Sequence, residues 1–399
     1  MSTFAQSAPP EAQPLKPHPA NIGQAGDPVL PPAATVESKP AAKPKKKNVR
    51  RTEPDRWQIT RRIVQFGFVL LNIYLCVQFY FFVRYFEGLG ETGAIGPHVS
   101  RPAGVDGWLP IAGLMNTRYL LATGHVPPIH PAAMVLFLIF AASSLLLKRA
   151  FCAWLCPIGT LSEYLWKLGR KLLGRNIVLP RWVDIPLRGL KYLLLGFFVF
   201  IVGSMSAAAL QEFMVQPYGI LADVKMLHFF VRMSETAAIT MIVLVLLSVV
   251  VQNFWCRYLC PYGALQSIVS LFSPVTIRRD AEACVECGKC AKACPQQLPV
   301  DRLVQIRSVE CTACMECVSS CGTQDALQFA LAPRKAETAA ARWQGRRLQP
   351  VAAVAVLATL FFGGVSFAKL THHWQTEVPS EVYRMLIPHV DEASHPGFH

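Results

Sequence analysis

Cysteine carries the chemistry of this chain. Cys284, Cys287, Cys290 and Cys294 follow the pattern C-x2-C-x2-C-x3-C, and Cys311, Cys314, Cys317 and Cys321 repeat it. Three cysteines three residues apart let a short loop wrap three corners of a four-iron, four-sulfur cube, and a thiolate arriving from elsewhere closes the fourth. In a doubled run the fourth ligands are exchanged, so Cys284, Cys287, Cys290 and Cys321 are expected to hold one [4Fe-4S] cluster, and Cys311, Cys314, Cys317 and Cys294 the other. Zinc sites use C-x2-C pairs, and disulfide frameworks belong to short secreted domains. Arg278, Arg279, Lys289 and Lys292 lie near the runs, where they would stabilise reduced clusters or steer an acidic partner.

A second cysteine pattern lies upstream. FCAWLCPIG at 151–159 and FWCRYLCPYG at 254–263 both contain C-x3-C-P-x-G, with Cys152 and Cys256 offset by 104 residues. A four-residue spacing puts two thiols on one helix face. Pro157 and Pro261 fit best in the first turn of a new helix, which places Cys156 and Cys260 at its N-terminus, where a thiolate is favoured. Cys152, Cys156, Cys256 and Cys260 therefore have three functional readings: ligands of an additional metal or cluster, redox-active dithiols, or contacts supporting electron transfer to the eight downstream cysteines. The plain alternative is polarizable side chains packed at a turn. Cys76, alone in an apolar run, is expected to be a small buried hydrophobe.

The elements around these motifs belong to a membrane. Hydrophobic residues make up 52% of the chain and charged residues 16%. Apolar runs at 62–84, 131–147, 186–208, 236–256 and 350–368 are each near the roughly 20 residues that cross a bilayer, so about five transmembrane helices are expected. The second run is the shortest and is also compatible with a buried helix. Basic residues from Lys43 to Arg62 and from Lys148 to Arg188 flank the spans, which by the positive-inside rule puts the N-terminus and the cluster module in the cytoplasm and the C-terminus in the periplasm. The net charge of +14 is thus a topology and lipid-surface signal, not a nucleic-acid one.

The expected fold is a mainly α, multi-pass inner-membrane protein with a cytoplasmic α+β module of bacterial two-cluster type. Residues 1–55 form a Pro-rich basic tail, with ten prolines among the first 50 residues. Residues 56–270 hold four spans and the two C-x3-C-P copies, 271–332 the cluster module, 333–349 a linker, 350–369 the fifth span, and 370–399 a short outer tail read as partner-docking or unstructured. The repeat suggests two helix pairs related by a pseudo-two-fold axis along the membrane normal. Residues 275–277 and 326–330 are expected to pair as strands beneath the clusters. Gly363 and Gly364 would permit close helix packing in the last span. His125, His130, Glu212, Asp223 and His228 are candidates for taking protons from a quinol, and the tail carries His372, His373, His389, His395 and His399 without a haem-attachment motif.

Taken together, FCAWLCPIG, FWCRYLCPYG, CVECGKCAKACP at 284–295 and CTACMECVSSC at 311–321 resemble the membrane-bound polyferredoxin family of NapH-type proteins and the membrane core of NosR-type proteins, over roughly residues 60–330. The resemblance implies electron transfer between the quinone pool and a redox partner protein through the cytoplasmic clusters. NosR-type proteins carry a flavin-binding domain before the membrane region, whereas a Pro-rich tail stands here, so no flavin site is carried over. The chain also resembles cytochrome oxidase assembly factors of the FixG and CcoG type, thought to reduce copper. Those end in an immunoglobulin-like domain of about 100 residues, where only residues 370–399 follow the last span here. A redox-sensing regulator is the third reading, without a recognisable output domain.

Overall fold

Trp57–Glu91 forms α1, a helix of 35 residues and so about 52 Å long at 1.5 Å per residue. Its outward face carries Ile63, Phe66, Leu70, Ile73, Tyr74 and Val77, all exposed. Large apolar side chains strung along a helix exposed to water would be a liability, and against lipid they are the expected surface. Cys76 lies on this same exposed face, so it is a lipid-facing side chain and not the buried hydrophobe expected. The computed structural model describes residues 50–51, 56–91, 99–331 and 347–395. The Pro-rich tail to residue 49, residues 52–55, most of the 333–349 linker and His399 lie outside the described residues.

After α1 come a 3-10 turn at Ala103–Trp108, then α2 (Pro110–Thr123), α3 (Pro131–Leu147), α4 (Pro157–Leu173), α5 (Arg181–Ser204), α6 (Ala207–Val215), α7 (Pro217–Ile220), α8 (Ala222–Val231), α9 (Glu235–Val250) and α10 (Pro261–Val269). The cluster module holds β1 (Val275–Arg279), α11 (Lys289–Ala293), β2 (Gln305–Ile306), α12 (Glu316–Ser320) and β3 (Leu327–Leu331). Then follow α13 (Pro350–Ala358), a π-helical turn at Thr359–Gly363, α14 (Gly364–Leu370) and α15 (Ser380–Leu386).

Among the described residues, three helices are long and apolar enough to cross a membrane: Trp57–Gly88, Arg181–Ser204 and Pro350–Leu370. A fourth crossing results if α8 and α9, bent by 78° at their junction, act as one span. The run at 131–147 forms the 17-residue α3, which is apolar all round and buried over most of its length, as a central helix must be. Gly364 sits where an added Cβ would fall 2.6 Å from the Ile139 side chain, so the last helix lies directly on α3. Gly363 meets nothing within 4 Å, and the close packing expected of the glycine pair comes from one of them.

Two cores lie at the two ends of α1. At its start, Trp57 stacks edge-on against Trp154 and Phe329 with centroids 6.2 and 5.8 Å away, which joins α1, the first C-x3-C-P copy and β3. At its end, Phe79, Phe82, Val83 and Phe86 pack with Leu210, Leu221, Val224, Tyr383, Ile387 and Val390. The C-terminal segment is therefore folded, not an unstructured tail. Val382, Tyr383, Leu386, Ile387 and Val390 recur at helical spacing and form one apolar stripe against α1. In the cluster module, β1 pairs antiparallel with β3, Val275 opposite Leu331 and Arg279 opposite Leu327, and β2 adds a third strand on the other edge.

Candidate electron-transfer site

Each C-x3-C-P copy builds the same local structure. A π-helical turn, Phe151–Leu155 in one and Trp255–Leu259 in the other, runs into a new helix with proline in its first turn. Proline costs nothing there, because the first-turn N–H has no helical partner. Cys156 and Cys260 become the N-caps of α4 and α10, and their sulfurs accept the N–H of Gly159 and Gly263 at 3.4 and 3.2 Å. A Cβ on Gly159 would fall 2.1 Å from the Cys152 carbonyl oxygen, so the loop closes on itself only with glycine. The two thiols of a copy are thus joined through a turn, not along one uninterrupted helix face. Helices cross-pack between the copies, α4 against α9 and α10 against α3, as an internal two-fold arrangement requires.

Cys152, Cys156, Cys256 and Cys260 come together from the two copies. All four line one cavity of about 590 Å³, which extends past Leu71, Asn72 and Leu75 of α1 to Ser100, Arg101, Trp374 and Gln375. Burial pushes the Cys156 thiol up to about 12, with Cys152 and Cys260 close by adding to the effect. A second, small cavity lies between Cys152 and Cys256 on one side and Pro295, Thr312 and Cys314 on the other. One group of thiols therefore faces both the large cavity and the cluster module.

In that module Cys321 lies within electrostatic reach of Cys284 and Cys287, and Cys290 of Cys284 and Cys321. Cys294 lies close to Cys311, and Cys317 close to Cys314, Cys294 and Cys311. Cys294, Cys311, Cys314 and Cys317 together line one small pocket. Two sets of four thiols, each completed from the other run, fit two cubane clusters, which would supply one-electron transfer. Arg278 and Arg279 are buried in β1, with Arg279 Nε donating to the Leu303 carbonyl at 3.2 Å. Of the four cations expected near the clusters, only Lys289 and Lys292 are exposed to a partner.

The module is fixed to the helices by largely buried polar contacts, and three of their cations, Arg61, Arg149 and Lys167, are among the basic residues expected to flank the spans. Lys191 Nζ donates to both Glu310 oxygens at 2.7 Å, the Tyr192 hydroxyl donates to Oε1 at 3.1 Å, and Arg149 donates to Oε2 at 3.2 Å. Burial alone would raise the Glu310 carboxyl, but Arg149 and Lys191 hold it below the usual carboxylate range. Glu310 precedes Cys311, so this cysteine loop is clamped by Lys191 of α5 and by Arg149. Arg61 donates to Glu163 at 2.6 Å and to Glu316 at 3.1 Å, and Lys167 joins both carboxylates. Burial works against the Glu163 charge, yet Arg61 and Lys167 bring its carboxyl down to about 2. Trp154 Nε1 donates to Ala313 O at 3.0 Å, Gln58 Nε2 to Cys314 O at 2.9 Å, and Arg257 to Asp184 at 2.9 Å and Gln297 at 3.2 Å. Reading Arg61, Arg149 and Arg257 as docking residues needed one signal, namely that the last two adjoin or lie within the C-x3-C-P copies.

At the other end of the large cavity stands a buried charged cluster. Arg101, on the cavity wall, donates to Asp223 at 2.8 Å and Thr376 at 3.1 Å, and also pairs with Asp106. His130 Nδ1 lies 3.0 Å from Asp106 and 3.1 Å from Arg101, and its Nε2 lies 3.1 Å from the Gly219 carbonyl. Both ring nitrogens face acceptors, which suits the doubly protonated imidazolium. Burial opposes that charge, but Asp106 outweighs it and holds His130 above its usual value. The ligand atoms of Asp106, His130 and Asp223 lie within 4.8 Å of one another, as a metal site's would. Arg101 already occupies the cation's place between the two carboxylates. Two of the five proton-taking candidates, His130 and Asp223, are therefore in this cluster. His228 instead pairs with Glu87 at 3.0 Å, and His125 and Glu212 are exposed. His372, His373, His389 and His395 are exposed and do not converge.

Comparison with known proteins agrees with this geometry. A family model described as "4Fe-4S binding domain" matches residues 129–176 and 236–279, one segment around each C-x3-C-P copy, and a "4Fe-4S dicluster domain" model matches 276–322. The "Putative electron transport protein YccM" of Escherichia coli (strain K12) is 49% identical over 84% of this chain and 91% of its own length. The "Ferredoxin-type protein NapH" of the same organism is 26% identical over 67% of this chain and 86% of its own length. The "Regulatory protein NosR" of Pseudomonas aeruginosa is 31% identical over 49% of this chain and 27% of its own length. No solved structure matches. With repeated cysteine motifs, membrane-length helices and a near-full-length relative, the chain belongs to the NapH/NosR-type family of membrane-bound, ferredoxin-type 4Fe-4S electron-transport proteins.

Proposed function

We propose that this protein carries electrons between the quinone pool and a soluble or membrane-bound redox partner, through two [4Fe-4S] clusters held by Cys284, Cys287, Cys290 and Cys321 and by Cys311, Cys314, Cys317 and Cys294. The observation that carries this reading is the large cavity, which has the four C-x3-C-P thiols in its wall and only a small gap between those thiols and Cys314. A cavity of this size takes an aromatic head group with part of its apolar tail, and its apolar walls suit that class of ligand. Quinol oxidation releases two electrons and two protons. The electrons leave one at a time toward the clusters, and the protons leave by way of the Asp106 and Asp223 carboxylates at the other end, since Arg101 and the His130 imidazolium already carry theirs. In this reading the protein is a five-span inner-membrane protein in which α3 and the bent α8–α9 pair count as crossings. The cluster module is cytoplasmic and α15 periplasmic, in keeping with the basic residues beside the module. Exposed Lys289 and Lys292 favour an acidic partner surface.

Iron and sulfide analysis with electron paramagnetic resonance on anaerobically purified protein tests this. At least about eight irons per chain are expected from two cubanes, with cluster signals that change on adding quinol or, for reduced protein, quinone. Clusters that respond to dithionite but to neither carrier would remove the quinone-pool reading and favour a role in cofactor assembly or sensing.

A further inference from the structure

The two C-x3-C-P copies depart from one another at two linked places. The residue after the proline is Ile158 in the first copy and Tyr262 in the second, and both line the large cavity. Four residues on, Ser162 of the first copy stands where the second has Gln266. Positions four apart share one face of a helix, so Tyr262 and Gln266 are neighbours on α10. The Tyr262 hydroxyl lies within hydrogen-bonding reach of the Gln266 amide. Gln266 is 0% exposed, and its amide oxygen and nitrogen have no other partner among the described residues. A buried group left so poorly satisfied costs about 1–3 kcal/mol, and the first copy folds the same turn without it. The tyrosine–glutamine pair is therefore a polar feature that the turn itself does not need.

Tyr262 brings that pair to the cavity wall. Its ring packs edge-on against Phe151 and at an angle against Phe137, with centroids 5.5 and 5.7 Å away, which fixes where the hydroxyl can be. That hydroxyl lies within electrostatic reach of Cys152, Cys156 and Cys260, at the thiol end of the cavity. Arg149, also in the wall, is engaged by Glu310. A phenol can donate to a carbonyl oxygen and accept from a hydroxyl, and these are the two forms in which a quinone and its quinol present the same atom. The distances are suitable as well. α3 rises about 10 Å from His130, beside Arg101, to Phe137, beside Tyr262. One quinone ring with a hydrogen bond at each oxygen covers a span of that order.

We propose that Tyr262, held in place by Gln266, is the head-group ligand of the large cavity. Its hydroxyl donates to one carbonyl oxygen of a bound quinone and accepts from the corresponding hydroxyl of the quinol. The ring then lies between Tyr262 and the Arg101 end, with one oxygen beside the thiols and the other toward the Asp106 and Asp223 carboxylates. Tyr262 touches the substrate, and Gln266 acts through it as a positioning residue. The inference rests on the quinone reading proposed above and adds where the ring sits and which group recognises it.

The test is isotope-edited infrared spectroscopy of a short-chain para-benzoquinone, carbon-13 labelled at one ring carbonyl or the other, bound to full-length protein in detergent, together with its Kd. In the wild-type protein one carbonyl should absorb below its position in an apolar solvent, as a hydrogen-bonded carbonyl does. Tyr262→Phe keeps the ring and removes the hydroxyl. It should return that carbonyl toward the apolar position, leave the other where it was, and weaken binding about two- to tenfold, the worth of one hydrogen bond. Gln266→Leu should shift the same band part of the way, a change that lost stability alone would not produce. Should Tyr262→Phe fail to fold, protein made with fluorotyrosine, a stronger donor, decides instead. The same band should then fall further, because Tyr262 is the only tyrosine among the described residues lining the cavity. Carbonyl bands that match the wild type in Tyr262→Phe, or that do not move with fluorotyrosine, would overturn the proposal and leave the quinone reading standing. Wild-type protein that binds no quinone would remove both.

Discussion

Replacing Glu310 by glutamine asks how firmly the cluster module is held to the helices. The carboxylate lies between Lys191 and Arg149, whose side chains are 0% and 1% exposed. Glutamine keeps the shape and one acceptor oxygen for Lys191 but removes the negative charge that these two cations share. Removing one partner of a buried ion pair costs about 3–5 kcal/mol, because the remaining charge stays desolvated. The retained hydrogen bond puts Glu310→Gln near the lower end, about 3 kcal/mol. Since Glu310 is next to Cys311, the loss should appear as early release of that cluster on heating. The assay is thermal bleaching of cluster absorbance in detergent, with the Lys191→Met variant and the double variant completing a cycle. The double variant should be less destabilised than the sum of the two single changes by at least about 1 kcal/mol, since one unpaired charge is then removed. A Glu310→Gln protein within about 0.5 kcal/mol of wild type, with additive effects in the cycle, would show that the clamp does not hold the module.

The repeated glycines should differ in their tolerance. Gly159→Ala puts a Cβ 2.1 Å from a backbone oxygen and should break the turn that leads into α4, whereas Gly263→Ala meets only the end of the Arg149 side chain, at 3.2 Å, and should be milder, as bleaching temperatures of the two variants would show. Trp154→Phe removes the donor to Ala313 O and should cost about 1–3 kcal/mol in the same bleaching assay, because a buried carbonyl loses its partner. Glu163 has its carboxyl lowered to about 2 in the folded protein, against about 4.3 unfolded. Its contribution is therefore full above the unfolded value and is lost as pH falls toward the folded one. Glu163→Gln should flatten the wild-type loss of stability over that acid window, measured as bleaching temperature against pH.

The cysteine motifs were legible in the sequence because their spacing is local, with three cysteines in each short loop and a fourth at a fixed offset. The strands at 275–279 and 327–331 were also legible, because each is a short β-prone run ending beside a ligand loop. What the sequence hid was pairing over distance. Arg61 and Glu163 are 102 positions apart, so Arg61 looked like a flank of a span, and Lys191, 119 positions from Glu310, lay inside an apolar run where nothing marked its partner. Arg101 and Asp106 escaped notice because nothing in a six-residue stretch announces that His130 and Asp223 will fold against it. The C-terminal stripe from Val382 to Val390 was visible in principle, but its histidines and short length masked it. Five apolar runs suggested about five spans, with the shortest, 131–147, also compatible with a buried helix. Hydropathy does not distinguish a lipid-facing helix from one buried among others, and α3 is of the second kind.

The central claim is that electrons cross between a carrier in the large cavity and the clusters of the module. The rate at which quinol changes the cluster absorbance, followed by anaerobic stopped flow in proteoliposomes, measures that crossing, and the same rate with quinone added to reduced protein covers flow in the other direction. Ala103 lines the cavity and is buried, so Ala103→Phe should narrow it. The account predicts rapid electron exchange in the wild-type protein, slowed at least about tenfold by Ala103→Phe, a barrier change of about 1.4 kcal/mol, while reduction by dithionite is unaltered. Exchange with quinol or quinone that is absent, or is equally fast with the cavity filled, would contradict it.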